Sequence, residues 1–167
     1  MKKAQCSACG GDVEIVRGAW NFTESGLKCV VLAGIDIIRC RDCGSQDPII
    51  PRINELMKVL ASAVIRKPYR LEGEEVRFLR KYLRMTQDEF SHLLHVDKTT
   101  LSKWENNEDP VGDQSDRLIR AIALALGAGL KPGQEEAIRE FSRIQDLRRS
   151  VCIEMNAETM SFQYAAA

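Results

Sequence analysis

The chain has 167 residues, 44% of them hydrophobic, with 24 lysines and arginines balanced by 24 acids. That length builds one ordinary core or two small ones, and we expect two small ones. Zero net charge argues against indiscriminate coating of nucleic acid, and no apolar run approaches the roughly 18 residues that span a bilayer, so we expect a soluble, cytoplasmic protein with no membrane partner.

The first elements are cysteine knuckles. Cys6-x-x-Cys9 and Cys40-x-x-Cys43 are matched pairs, each followed by glycine, Gly10 and Gly44. Two-residue spacing lets both sulfurs of a pair reach one ion, and four thiolates close a tetrahedral shell that leaves no position for water or substrate. The pattern predicts one structural Zn(2+) per chain, with iron in a rubredoxin-like sulfur cage as the other metal that fits this ligand set. Disulfides within the pairs are disfavoured by a reducing cytoplasm and by the short loops they would close. The insert between the knuckles is longer than such sites usually need and reads as strands at 13–16, 27–32 and 35–39, with a turn at Ala33-Gly34. Cys29 has no partner at knuckle spacing and reads as a small buried hydrophobe. Trp20 and Phe22 either cap this mini-core or stand out as binding anchors. Before Ser45 there are six bases and five acids, so this part has no basic face.

Pro48 and Pro51 close the metal-binding part, and residues 52–67 read as a helix with Ile53, Leu56, Met57, Leu60 and Val64 on one stripe, ended by Pro68. A second helix opens with Glu74 and Glu75 at its positive end and turns Val76, Leu79 and Leu83 inward. Its outer face carries Arg77, Arg80, Lys81 and Arg84, either a solvated surface or phosphate clamps. Thr86 and Glu89 form a capping box that starts a short helix with Phe90, Leu93 and Leu94 on its apolar face. His95 and Val96 make a turn, and Asp97 caps the next helix, which points Leu101 and Trp104 inward. Lys98, Thr99, Ser102 and Lys103 are left outward, in position to read bases. Residues 66–104 carry nine bases against six acids, whereas residues 105–116 carry five acids and no base, so the first stretch is expected to meet phosphate and the second to face away. A last core helix bears Leu118, Ile119, Ile122 and Leu126 and stops at Gly127 and Gly129.

Beyond a joint at Lys131-Pro132-Gly133, residues 134–149 read as a helix with Ile138, Phe141, Ile144 and Leu147 on its stripe. Residues 151–155 and 160–164 alternate like two strands about a turn at Asn156. A lone hairpin is marginal in water, so it needs a second subunit, the metal-binding part or another protein to pair with; a disordered tail is the alternative. His92 and His95 read as packing residues. No nucleophile elbow, phosphate loop or HExxH motif is present, which predicts a non-enzyme.

The run MTQDEFSHLLHVDKTTLSKWEN, from Met85 to Asn106, resembles the helix-turn-helix of Xre and phage-repressor type regulators position by position. Those proteins usually have glycine where His95 sits, and often near Asn107, because both places favour a left-handed backbone that histidine and asparagine tolerate. Paired knuckles ahead of this motif, together with the Val31-Leu32-Ala33-Gly34-Ile35 segment, are similar to the MqsA-type antitoxins over about residues 1–128. The resemblance implies zinc, a dimeric repressor on palindromic double-stranded operator DNA, and an N-terminal domain that holds a toxin. It also implies phosphate contact by Gln87, base contacts by Thr99 and Lys103, and a linker that lets the metal domain swing. Arg80, Arg84, Lys98 and Ser102 complete the expected DNA-binding set, and Cys6, Cys9, Cys40 and Cys43 the metal set.

The expected fold is therefore α+β. A zinc-bound, β-rich domain over 1–47 is followed by a helical linker over 48–70, an all-α, lambda-repressor-like domain over 71–130 and an extension over 131–167. The expected function is that of a repressor and antitoxin whose homodimer forms through the second half and the extension. A free-standing zinc- or redox-responsive regulator and a rubredoxin-like electron carrier are the alternatives.

Overall fold

The computed structural model describes residues 5–127 and 150–166; the helix expected over 134–149 lies outside them. The architecture is α+β, a sheet next to the cysteine cluster followed by helices. Strand β1 (Val13–Asn21) pairs antiparallel with β2 (Val30–Cys40), from Val13↔Cys40 to Asn21↔Val31. The expected turn at Ala33-Gly34 is absent, and β2 runs straight through it. Register instead steps from Gly18↔Ile35 to Ala19↔Ala33, leaving Gly34 (φ 69°) as the extra residue of a bulge. The chain actually reverses over residues 22–29, around a single 3-10 turn at Thr23–Ser25.

The other side of β2 is shared. Its Cys40 half pairs antiparallel with β3 (Gln46–Ile49), while its first half pairs in parallel with β4 (Val151–Asn156), from Val30↔Ile153 to Ala33↔Asn156. Strand β5 (Ser161–Ala166) closes the hairpin. Of the three partners that such a hairpin admitted, it uses the metal-binding sheet, because Ile153, Met155 and Ala157 are apolar and pack into the core. Residues 151–166 are thus committed within their own chain, which corrects the expectation that the whole extension supplies a dimer interface. Cys29 is also corrected: it is half-buried and forms a disulfide with Cys152, 123 residues away.

Helix α1 (Ile53–Arg66) buries Leu56, Leu60 and Val64 of the expected stripe, leaves Met57 half-buried and Ile53 exposed, and buries Ala61, Ala63 and Ile65 as well. With two apolar faces it cannot stand as an open tether. It packs between β5 and the following helices, α2 (Gly73–Tyr82) and α5 (Asp113–Leu126), and its Ala63 carbonyl accepts the Tyr164 hydroxyl at 2.5 Å. The two expected cores are accordingly one cluster, running from Leu32 and Ile37 in the sheet through Leu60 to Leu79, Leu101 and Ile119. Phe22 is buried and Trp20 packs against the same cluster, so both cap the core.

Two buried ionic groups fix the connector between α1 and α2. The Arg120 guanidinium is fully buried; it meets Asp116 at 2.7 Å and donates to the carbonyls of Ile65 (2.6 Å), Lys67 (2.8 Å) and Tyr69 (2.6 Å). Asp116 accepts the Leu71 N–H at 3.0 Å. Lys67, also buried, meets Glu75 at 2.5 Å. The linker expected to swing is instead clamped onto α5 and α2.

Candidate metal centre and nucleic-acid interface

The four cysteines converge at the end of the sheet. In the first knuckle the Gly10 N–H returns to the Cys6 carbonyl at 2.9 Å, and in the second the Gly44 N–H returns to Cys40 at 3.2 Å. Gly10 (φ 75°) and Gly44 (φ 73°) take the left-handed conformation that such tight turns require, and the β1–β2 pairing Val13↔Cys40 sets the turns side by side. Cys6 Sγ lies 3.7 Å from Cys43 Sγ, Cys9 Sγ lies 3.5 Å from Cys40 Sγ, and all four sulfurs fall within 4.8 Å of one another. A tetrahedral ion with metal–sulfur bonds of about 2.3 Å has sulfur–sulfur edges of about 3.8 Å, so the donor set fits a closed four-thiolate site.

Without an ion the thiols of Cys6, Cys9 and Cys43 differ in how readily they ionise. The Ser45 hydroxyl, 3.2 Å from Cys6 Sγ, together with the amides of Ala8 and Cys9, holds the Cys6 thiol down to about 6. The same hydroxyl is the largest influence lowering Cys43. At Cys9 the Gly11 amide favours the thiolate, yet the neighbouring thiols of Cys40 and Cys43 outweigh it and push the group up to about 12. Four negative sulfurs at this spacing repel one another unless a metal compensates them. Ser45 escaped sequence reasoning; its position two residues after Cys43 was the available signal.

Helices α3 (Gln87–Leu94) and α4 (Lys98–Glu105) carry the second site. Thr86 caps α3 by accepting the Glu89 N–H at 3.2 Å, and the Glu89 carboxylate accepts the Thr86 N–H at 2.7 Å. His95 takes φ 53° at the turn and Asn107 takes φ 59° beyond α4, so both glycine-like positions are left-handed. Leu101 and Trp104 are buried, while Lys98, Thr99 and Lys103 are exposed and Ser102 is half-buried. Lys98 is paired with Asp88 at 2.9 Å and Lys103 with Asp109 at 3.3 Å, both exposed contacts that a phosphate or base can replace. Arg84 is exposed at the end of α2. His92 and His95 are exposed, and with Ser91, Val96, Asp97 and Thr100 they line a shallow groove.

Two residues of the expected set are occupied by the fold. Arg80 is mostly buried and grips the Glu105 carboxylate at 2.6 and 3.0 Å while donating to the Met85 carbonyl at 3.0 Å; it is not an outward phosphate clamp. Gln87 donates to the same carboxylate at 2.9 Å. Arg77 reaches Glu105 at 3.4 Å and the Asn106 side chain at 2.7 Å. Glu105, grouped by sequence with an outward acidic loop, is instead a buried hub joining α2, α3 and α4. Burial works against its charge, but hydrogen bonds from Arg80 and Gln87 and the charges of Arg80 and Arg77 prevail and hold its carboxyl below the usual range. The signal was its helical position: Glu105 follows Leu101 by four residues and Trp104 by one, on the inward face.

Residues 76–131 match the family model described as helix-turn-helix. No curated protein matches the chain. The match and the geometry together support an Xre-like helix-turn-helix domain in this part of the chain, a type of domain that points to DNA binding and transcription regulation. Among the described residues, no helix is long and apolar enough to cross a membrane.

Proposed function

We propose that this chain is a sequence-specific transcriptional repressor that also serves as the antitoxin of a toxin–antitoxin pair. The observation that carries the reading is the combination of a helix-turn-helix domain with a four-cysteine sheet ahead of it; the order and spacing resemble those of the MqsA-type antitoxins. In this reading the metal is Zn(2+) and is structural, because all four ligand positions are filled by protein sulfur. Thr99 and Lys103 read bases, supported by Lys98 and Ser102, and Arg84 contributes a phosphate contact.

A single recognition helix spans few base pairs, so such a repressor works as a two-fold dimer with its recognition helices about 34 Å apart. Leu118 and Leu126, with Ala121 and Ala125 between them, leave an exposed apolar strip on α5 that suits this contact. The sheet's exposed Ile15 and Ile49 offer an apolar surface to a protein partner away from the DNA-reading helix. The chain would act in the cytoplasm and catalyse no reaction.

The test is coexpression with the product of the neighbouring reading frame. Growth arrest by that product alone, relief by this chain, and a stable complex that still protects a palindromic operator are expected. A harmless neighbour that does not bind would leave a free-standing regulator in place of an antitoxin.

A further inference from the structure

The disulfide occupies a position that neither metal binding nor base reading explains. Cys29 and Cys152 join the two parallel strands where their pairing begins, with Cα atoms 4.7 Å apart and the Ile153 N–H donating to the Cys29 carbonyl at 2.9 Å. The bond is not sealed in the core. Both sulfurs' residues are half-buried and line a cleft of about 290 Å³ whose other wall is the start of α2, formed by Glu72, Glu74 and Glu75.

Both arms of the disulfide touch that helix start. Lys28, next to Cys29, pairs with Glu72 at 3.3 Å and Glu74 at 2.9 Å; Ser150, two residues before Cys152, donates to Glu72 at 3.0 Å. Glu72 is the N-cap of α2. From there the path to α4 is short: Asn107, just beyond its end, donates to Glu74 at 3.2 Å and accepts the Gly73 N–H at 2.8 Å.

We propose that Cys29 and Cys152 form a reversible thiol–disulfide exchange site, and that the closed bond latches the β4–β5 hairpin against α2 and thereby raises the DNA affinity of the helix-turn-helix. The affinity clause rests on the DNA-binding reading above. A small thiol such as glutathione opens the latch in two steps. Its thiolate attacks one sulfur of the pair, forming a mixed disulfide and releasing the other cysteine as a thiol; a second thiol then releases the first as its oxidised dimer. Two electrons and two protons pass from two small thiols to the protein pair, and oxidised glutathione closes the bond by the reverse route. The zinc ligands take no part, since none of them lies in the cleft.

Opening loosens the start of the hairpin, because the parallel pairing of β4 with β2 is only four residues long and the disulfide closes its first end, whereas Met155 and Tyr164 hold the rest in place. The Ser150 contact with Glu72 moves with it, and the α2 cap loses a restraint on the side that faces Asn107.

The experiment uses the full metal-loaded chain in defined mixtures of reduced and oxidised glutathione, followed by alkylation and mass spectrometry, with metal content measured in parallel. A single two-electron transition confined to Cys29 and Cys152 at constant metal content is expected. Amide exchange of the reduced form should rise both in residues 150–166 and in residues 72–76. The reduced form should bind an operator selected from a random duplex pool about 5-fold or more weakly. Cys152→Ser and Cys29→Ser, made separately, should each match the reduced wild type without reductant. If exchange rises only in the hairpin, or if the operator is bound equally in both states, the latch is refuted. If neither state binds any duplex, the DNA-binding reading fails, and the exchange at 72–76 still decides for or against the latch.

Discussion

Replacing Arg120 by methionine tests whether the connector between α1 and α2 is held by one buried cation. Methionine fills much the same length but removes every donor. Asp116 keeps its charge and the Leu71 N–H but loses its buried cation, and the carbonyls of Ile65, Lys67 and Tyr69 lose the guanidinium donor. Breaking one side of a buried ion pair costs about 3–5 kcal/mol, and each buried carbonyl left without a donor adds about 1–3 kcal/mol unless water reaches it. Allowing for water entry, the loss should be about 4 kcal/mol or more, a large share of the roughly 5–15 kcal/mol that holds a domain together. Urea unfolding of the oxidised, metal-loaded chain should then shift its midpoint by about 2 M, taking a slope of about 2 kcal/mol/M. Adding Asp116→Asn removes the stranded charge while keeping an oxygen for Leu71, so the double variant should recover about half of the loss. A loss below about 1.5 kcal/mol, or a double variant no better than Arg120→Met alone, would refute the assignment of the clamp to this ion pair.

Cys40→Ser should release the metal and raise amide exchange throughout residues 5–49, because structural zinc is worth about 10–16 kcal/mol to small domains; unchanged exchange there would remove the metal from the fold. Lys103→Ala should cost about 1–3 kcal/mol on the operator and relax preference at one base pair per half-site, whereas Arg84→Ala should weaken all sequences alike; equal loss from Lys103→Ala on operator and random DNA would take it out of the reading set. Glu105 has a folded pKa below its unfolded value, so its contribution is present above about pH 4.3 and is lost as pH falls through the folded value. The stability gap between wild type and Glu105→Gln should therefore narrow from pH 7 to pH 3, and a constant gap would contradict the ionised hub. Cutting the chain between residues 67 and 68 should give two fragments that fold only when coexpressed, since β4 and β5 belong with β2; independent folding of either, seen by chemical-shift dispersion, would restore two separable halves.

What was legible in the sequence was local. The knuckles, the capping box at Thr86 and Glu89, the left-handed positions at His95 and Asn107, and the inward Leu101 and Trp104 all lie within a few residues of their partners, where spacing alone carries the geometry. What was not legible joins residues far apart. Nothing in the alternation of residues 151–155 says that they pair in parallel with β2, and the partner of Cys29 stands 123 residues later. Buried charge misled the reading in a more instructive way. Charge type alone places Arg80, Glu105 and Asp116 on the outside and passes over Arg120, although Asp116 and Arg120 are four apart on the same helix as Ile119 and Ala123, both inside. A charge in phase with an apolar stripe is more informative than its type, because it is buried only with a partner in phase as well.

The same long-range contacts alter how the two sites can act on each other. A metal-bound sheet on a free tether adds no strain to DNA binding, and a protein held by the sheet affects the operator only by bulk. Here the sheet shares its core with the helix-turn-helix, the connector is clamped by Arg120 and Lys67, and Lys28, just before β2, pairs with the Glu72 cap of α2. A partner that displaced β2 would act on α2 through packed side chains and the two Lys28 ion pairs, and α2 holds α4 through Glu105. The sheet and the recognition helix are thus joined by packed elements rather than by a tether, so in the proposed function a protein bound to the sheet and an operator bound to α4 would be coupled in free energy, each altering the affinity of the other by the same factor.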